Sequence, residues 1–126
     1  CPGIAEGVAA LAENNNLLWI PGCLTANEII LADELGAQII KLFPGSFLGP
    51  AYVAAVKEIF PDLLFMPTGG IDTNEENLVS WFKSGATAVG LGSQLIREDF
   101  VGTKNYAGIE SLTRETLQIV QKIKGR

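Results

Sequence analysis

The sequence predicts an α/β fold in which parallel strands alternate with helices, as in part of a (β/α)₈ TIM barrel. Short apolar runs alternate with amphipathic segments along the chain, which is the pattern of repeated β/α units. The strands recur roughly every 20 to 25 residues with short polar turns, a spacing that favours the barrel. A four-stranded open parallel sheet is the alternative. We expect one domain over residues 1–126, with barrel units to about residue 100 and a C-terminal helix at 109–124.

The first half of the chain predicts two helices and two strands, at 4–14 (helix), 17–20 (strand), 25–35 (helix) and 38–43 (strand). In the first helix, Ile4, Val8 and Leu11 share one face. The second helix opens with Thr25 and, three residues later, Glu28, which is the pattern of a capping box.

The second half predicts two more strands and three helices, at 50–60 (helix), 63–66 (strand), 73–83 (helix), 88–91 (strand) and 109–124 (helix). Pro50 is acceptable in the first turn of its helix. Thr73 and Glu76 predict a second capping box, and residues 100–108 are expected to form a loop. The last helix is amphipathic, and its inward side chains are expected to be Leu112, Leu117, Val120 and Ile123.

Composition and charge argue against several classes of function. The net charge is −5 without a basic stripe, which argues against nucleic-acid binding. No apolar stretch approaches the roughly 20 residues that a transmembrane helix needs. Cys1 and Cys23 lack metal-ligand spacing and the chain contains no histidine, so we expect no metal site. A reducing, cytoplasmic setting is the default expectation.

Lys41 lies inside an apolar strand, where a β-branched residue would be expected. Burying an ammonium group is costly unless the group is paired or loses its proton. A neutral lysine amine is a nucleophile that condenses with carbonyl compounds, so Lys41 is a candidate catalytic residue. The alternative is a lysine that points out of a half-buried strand or pairs with a carboxylate elsewhere in the chain.

Four predicted strands end in glycine or proline, in the segments Pro21-Gly22, Phe43-Pro44-Gly45, Pro67-Thr68-Gly69-Gly70 and Gly90-Leu91-Gly92-Ser93. The C-terminal ends of barrel strands meet at one face, where barrel enzymes hold their active sites. Glycine amides there can cradle an anion, and barrels often bind phosphate with the loops after their last two strands. These segments therefore predict a phosphate site, with simple strand termination as the alternative.

The chain resembles the 2-keto-3-deoxy-6-phosphogluconate (KDPG) aldolase family, which includes 4-hydroxy-2-oxoglutarate aldolases, in the runs IIKLFPG, FMPTGGID and IPGCLTANE. In that family a KFFPA-like strand carries a Schiff-base lysine, and a PTGG strand and a GGS turn follow it. The opening CPG is similar to the family's SPG at the end of the fourth strand. The resemblance extends from residue 1 to about residue 100.

The resemblance implies a class I aldolase, which is a lyase that needs neither a cofactor nor a metal. Its substrate would be a 2-keto-3-deoxy-6-phospho sugar acid, cleaved reversibly to pyruvate and glyceraldehyde 3-phosphate. It also implies a homotrimer. Whether the preferred substrate is phosphorylated stays open, because Leu91 and Gln94 stand where the family has a glycine and an aromatic residue.

Carried over by position, the resemblance assigns the Schiff base with the keto acid to Lys41. It places Thr68 against the bound keto acid. The residues that would hold the substrate phosphate are Gly69, Gly70, Gly92 and Ser93, and those that would line the pocket are Pro21 and Phe43.

A lysine-dependent aldolase also needs a proton shuttle, for which a carboxylate is the natural candidate in a chain without histidine. Most acidic residues fall in predicted helices, and Asp72, the nearest to a strand end, is expected to start the next helix. In the family, the acid/base glutamate and a carboxylate-binding arginine come from the first three strands. The sequence contains no counterparts of these strands and opens with Cys1 and not with methionine. We therefore expect it to be the C-terminal part of a barrel, with little or no aldolase turnover alone.

The sequence is also compatible with two other functions. One is a phosphate-binding barrel isomerase or decarboxylase in which Lys41 makes only electrostatic contacts. The other is a non-catalytic half-barrel that acts as a binding or assembly module.

Overall fold

The computed structural model describes residues 1–125 and contains six helices and three strands within them. The elements in chain order are α1 (Glu6–Asn14), β1 (Gly22–Cys23), α2 (Ala26–Glu34), β2 (Ile39–Leu42), α3 (Gly45–Ile59), β3 (Leu64–Pro67), α4 (Glu75–Lys83), α5 (Glu98–Gly102) and α6 (Tyr106–Ile123). Among residues 1–125, no helix combines the length and the apolar character that crossing a membrane requires.

The strands form one parallel sheet in the order β1-β2-β3. Lys41 in the central strand lies opposite Gly22 on one side and Met66 on the other. Helix α2 connects β1 to β2 and helix α3 connects β2 to β3, as parallel neighbours require. The predicted α/β class, with parallel strands alternating with helices, is confirmed.

The hydrophobic core lies against one face of this sheet. Along β2, Ile40 and Leu42 have no exposed surface, whereas Ile39 and Lys41 are only partly buried. Successive strand residues point to opposite faces, so Lys41 lies on the face away from the core. The core also includes Ile29, Val53, Phe65, Ile71, Leu78 and Trp81.

The first strand is shorter than the sequence predicted and begins farther along the chain. Residues 17–20 are not part of a strand, and β1 consists of Gly22 and Cys23. The amide of Lys41 donates a 2.9 Å hydrogen bond to the carbonyl of Pro21. Pro21 has no N–H with which to return a bond to β2, so regular pairing begins only after it.

The prediction of a fourth strand at 88–91 is wrong, although this segment runs beside β3. The amide of Thr87 donates to the carbonyl of Phe65, and the amide of Gly90 donates to that of Pro67, both at 2.9 Å. The step from residue 87 to 90 is one residue longer than the step from 65 to 67, which is the signature of a β-bulge. Within the described residues, this segment pairs with the end of β3 through one isolated parallel bridge, between Thr68 and Gly90.

The two predicted capping boxes have different outcomes. The first is confirmed, because the Thr25 hydroxyl accepts from the Glu28 amide at 3.4 Å and the Glu28 carboxylate accepts from the Thr25 amide at 2.7 Å. The second, predicted at 73–76, is wrong. Asn74 is the N-cap of α4, and its side chain accepts a 2.9 Å hydrogen bond from the amide of Asn77.

Two helical segments extend beyond the predicted bounds. Helix α3 begins at Gly45 with one turn that is interrupted by Gly49, whose φ of +72° lies in the left-handed region. Pro50 then opens the regular part of the helix, as expected. Part of the loop predicted at 100–108 is helical, since α5 ends and α6 begins within it.

Some predicted buried faces are exposed. On α6, Leu117 is 55% exposed and Thr116 occupies the buried position instead. On α1, Val8 and Leu11 are 46% and 64% exposed, whereas two alanines of that helix are buried. Small alanine side chains allow a helix to approach its neighbours closely, and this decides which face of α1 packs inward.

Candidate active site

Lys41 lies near the C-terminal end of β2 with its amine beside an aromatic ring. Its Nζ atom is 4.6 Å from the centroid of the Phe43 ring. The ion pairs within residues 1–125 join other side chains, and no described residue donates to or accepts from this amine. The amine is therefore free to meet a ligand carbonyl.

The neighbouring strand ends bring other predicted site residues next to this lysine. Pro21 is fully buried and is hydrogen-bonded through its carbonyl to the Lys41 amide. Thr68 follows β3 and donates its amide to the carbonyl of Leu42, next to Lys41 in sequence, at 2.9 Å. A Cβ placed on Gly69 would lie 3.2 Å from the Phe43 ring, so this ring also touches the glycine turn after β3.

The loop after β2 is fixed to that glycine turn by two backbone hydrogen bonds. The amide of Gly45 donates to the carbonyl of Thr68 at 2.7 Å, and the amide of Ser46 donates to that of Gly69 at 2.8 Å. Gly69 and Gly70 have φ angles of +90° and +73°, a conformation that favours glycine. Within the described residues the amide of Gly70 donates no hydrogen bond. A glycine turn with an unpaired amide can bind an anion.

Gly92 and Ser93 form a second, exposed turn. The Gly92 carbonyl accepts from the amides of Leu95 and Ile96 at 2.9 and 2.8 Å. The amides of Gly92 and Ser93 themselves have no acceptor in the part of the chain that the structure describes. The turn follows the isolated bridge between Gly90 and Thr68, which places it beside the C-terminal end of β3.

Two glycines to which the sequence assigned no role beyond ending a strand shape this site. A Cβ on Gly90 would overlap Oγ1 of Thr68, and a Cβ on Gly45 would lie 2.9 Å from the carbonyl oxygen of Gly69. Both glycines therefore allow a close approach that another residue would prevent. Glycine at the end of an apolar run is the only sequence signal for them, and it does not reveal which neighbour approaches.

Asp72 is engaged in starting helix α4. Its carboxylate accepts from the amides of Thr73 and Asn74 at 2.6 and 3.3 Å. This confirms the expected role of Asp72.

Glu28 is engaged in capping helix α2. Its carboxylate accepts from the amides of Leu24 and Thr25 at 2.8 and 2.7 Å. These backbone hydrogen bonds, with that from Leu24 contributing most, lower the pKa of Glu28. Neither this carboxylate nor that of Asp72 is bonded to Lys41. Across residues 1–125, no group of three or more potential ligand side chains could hold a metal ion.

Cys23 is not a candidate nucleophile. Its side chain lies in the core and is 2% exposed. Burial, with a smaller contribution from the charge of Glu28, raises the pKa of this thiol to about 12. The thiolate, which is the reactive form, is therefore scarce at neutral pH.

The fold and the site together define an α/β protein of parallel strands alternating with helices, with a free lysine and glycine turns at adjacent strand ends. The sequence matches the KDPG and KHG aldolase family over residues 1–112. The chain belongs to that family.

Individual relatives agree with this assignment. The 2-dehydro-3-deoxy-6-phosphogalactonate aldolase of Escherichia coli K12 is 40% identical over 97 residues, which are 76% of this chain and 46% of the relative. The 2-dehydro-3-deoxy-phosphogluconate aldolase of Pseudomonas aeruginosa is 32% identical over 118 residues, or 93% of this chain and 53% of the relative. The chain spans about half the length of the curated relatives it matches.

A solved KDPG aldolase from Legionella pneumophila has the same architecture. It superposes with a TM-score of 0.77 at 25% identity, covering 88% of this chain and 53% of the other. That structure contains pyruvate captured at low pH as a covalent carbinolamine intermediate.

Proposed function

We propose that this chain carries the Schiff-base lysine of a class I aldolase. The reaction is the reversible cleavage of a 2-keto-3-deoxy-6-phospho sugar acid to pyruvate and glyceraldehyde 3-phosphate. The observation that supports it most strongly is the position of Lys41. Its amine has no hydrogen-bond or ion-pair partner among residues 1–125 and lies beside the Phe43 ring. The Thr68-Gly69-Gly70 turn follows the neighbouring strand, and the chain belongs to the aldolase family.

The proposed chemistry uses the lysine nitrogen as an electron sink. Nζ of Lys41 attacks the C2 carbonyl of the keto acid to give a carbinolamine, which loses water to form a protonated imine. When the C4 hydroxyl loses its proton, the C3–C4 bond breaks and its electron pair moves into the imine, so that the aldehyde leaves and an enamine remains. Protonation of the enamine at C3 and hydrolysis of the imine release pyruvate and restore the lysine.

The surrounding residues would bind the two ends of the substrate. Thr68 has a hydroxyl at the end of the strand next to Lys41 and would contact the keto acid, while Pro21 and Phe43 would form the pocket wall. The phosphate would bind to amides of the two glycine turns, whose residues are Gly69, Gly70, Gly92 and Ser93. Unpaired backbone amides favour an anion there without a basic side chain.

The proton shuttle is the part of the mechanism that the described residues do not supply. Asp72 and Glu28, the acids nearest to the strand ends, are held by backbone amides of helix starts. We therefore expect the isolated 126-residue chain to show little or no aldolase turnover. Full activity of such a chain, verified by sequence, would contradict this expectation.

We also propose that the whole protein is a homotrimer. Several large apolar side chains are exposed in the chain, Phe47 at 78% most of all, and such surface favours association. Light scattering of the purified whole protein measures the mass directly. A monomer at micromolar concentration would contradict the proposal.

Pyruvate release by the whole protein tests the function. The substrates should be both C4 epimers of the 6-phosphorylated keto acid and their unphosphorylated counterparts. Lys41→Met should abolish release, because the substituted side chain cannot form an imine, whereas Lys83→Met, at an exposed position of α4, should leave it unchanged. Undiminished release by the Lys41→Met protein would rule out a Schiff base at Lys41.

A further inference from the structure

Ser46 lies directly over the glycine turn after β3, although its own chain segment follows β2. Its amide donates to the carbonyl of Gly69 at 2.8 Å. A Cβ built on Gly70 would overlap the Ser46 Cβ atom and lie 3.2 Å from its Cα and from its Oγ. The side chain of Ser46 therefore packs against Gly70, whose amide donates no hydrogen bond within residues 1–125.

The hydroxyl of Ser46 is free, and its position in the helix explains why. Ser80 and Ser84, farther along the chain, donate their hydroxyls to carbonyls of the preceding turn at 2.6 and 2.7 Å. Ser46 is in the first turn of α3, where no helical carbonyl lies three or four residues earlier. The residue is exposed, and among residues 1–125 its Oγ has no hydrogen-bond partner.

We infer that Ser46 is a further substrate-binding residue, whose hydroxyl donates a hydrogen bond to the substrate phosphate beside the Gly70 amide. This inference rests on the proposed function, because it takes the phosphate to lie on the glycine turn. The backbone of Ser46 is already fixed by its bond to Gly69, so little ordering of this segment is needed when the ligand binds. A hydroxyl held in this place favours phosphorylated over unphosphorylated substrates.

Binding of glycerol 3-phosphate to the whole protein, measured by calorimetry, tests the inference without requiring turnover. Ser46→Ala should weaken this binding by about tenfold or more, the usual effect of losing a hydrogen bond to a charged group. The matched control is Ser111→Ala on α6, whose hydroxyl bonds to Glu115 and which should bind like the wild type. Pyruvate-dependent borohydride labelling of Lys41, which involves no phosphate, should persist in the Ser46→Ala protein.

Three results would overturn the inference. The first is equal binding of glycerol 3-phosphate by the wild-type and Ser46→Ala proteins, and the second is no binding by the wild type. The third is a loss of pyruvate labelling in the Ser46→Ala protein together with the loss of binding, which would reveal a general structural effect. A different result separates the two proposals. If the wild type binds glycerol 3-phosphate more tightly than Ser46→Ala protein but Lys41 is never labelled, the Schiff base fails and the role of Ser46 stands.

Discussion

Replacing Gly90 by alanine tests how the site positions Thr68. A Cβ on Gly90 would overlap Oγ1 of Thr68 and lie 2.8 Å from its Cγ2 and 3.0 Å from its Cβ. Rotation about χ1 does not relieve the overlap, because two heavy atoms branch from the threonine Cβ and that atom is itself too close. Carbon atoms pack at about 3.5 to 4.0 Å, so Thr68 or its strand must move by roughly 0.5 to 1 Å.

A displacement of this size affects both stability and activity. Overpacking costs about 1 to 3 kcal/mol, and a misplacement of about 1 Å in an active site can slow turnover roughly 100-fold. We expect Gly90→Ala to lower the urea midpoint of the whole protein and to reduce kcat/KM for pyruvate release by roughly 100-fold. Gly102→Ala is the matched control, since nothing lies within 4 Å of a Cβ there. If the two variants have the same urea midpoint and the same kcat/KM, Gly90 does not position Thr68.

Three further predictions concern the thiols, a helix cap and the core. Cys1 is exposed and Cys23 is buried, so iodoacetamide should modify Cys1 in the folded protein and Cys23 only after unfolding. Equal rates at both, measured by peptide mass spectrometry, would contradict the burial. The pKa of Glu28 is lowered on folding, so its contribution to stability is present above the unfolded pKa and lost as pH falls through the folded value. Glu28→Gln should therefore be less stable than the wild type at neutral pH, and the difference in the free energy of unfolding should shrink as the pH falls below the ordinary glutamate pKa of 4.5. A difference independent of pH would argue against this role. Phe65 has no exposed surface. Phe65→Ala should therefore lower the free energy of unfolding, measured in urea, by about 3 to 5 kcal/mol. A loss under about 1 kcal/mol would show that Phe65 does not lie in the core.

The parts of the fold that local sequence determines were predictable. The strand expected at 38–43 is found at Ile39–Leu42, because an apolar run between helical segments is a strong local signal. The Thr25–Glu28 cap needs only residues three apart in sequence, and it forms as expected. The position of Lys41 at a strand end follows from the same local pattern.

The parts that depend on a neighbouring strand were not predictable in the same way. Pro21 lacks the N–H that would donate a hydrogen bond to β2, so β1 begins only after Pro21. The apolar run at 17–20 does not reveal this, because the effect depends on the pairing with β2. The bulge before Gly90 depends on register with β3. The approach of Thr68 to Gly90 and of Ser46 to Gly70 is likewise tertiary, and the sequence shows only a glycine.

Borohydride reduction in the presence of pyruvate shows whether Lys41 forms a Schiff base. The whole protein is reduced with and without pyruvate, and its peptides are mapped by mass spectrometry. We expect a pyruvate-sized mass increase on Lys41 that requires pyruvate and disappears in the Lys41→Met protein. An unmodified Lys41 in folded protein, or a label on another lysine instead, would contradict it.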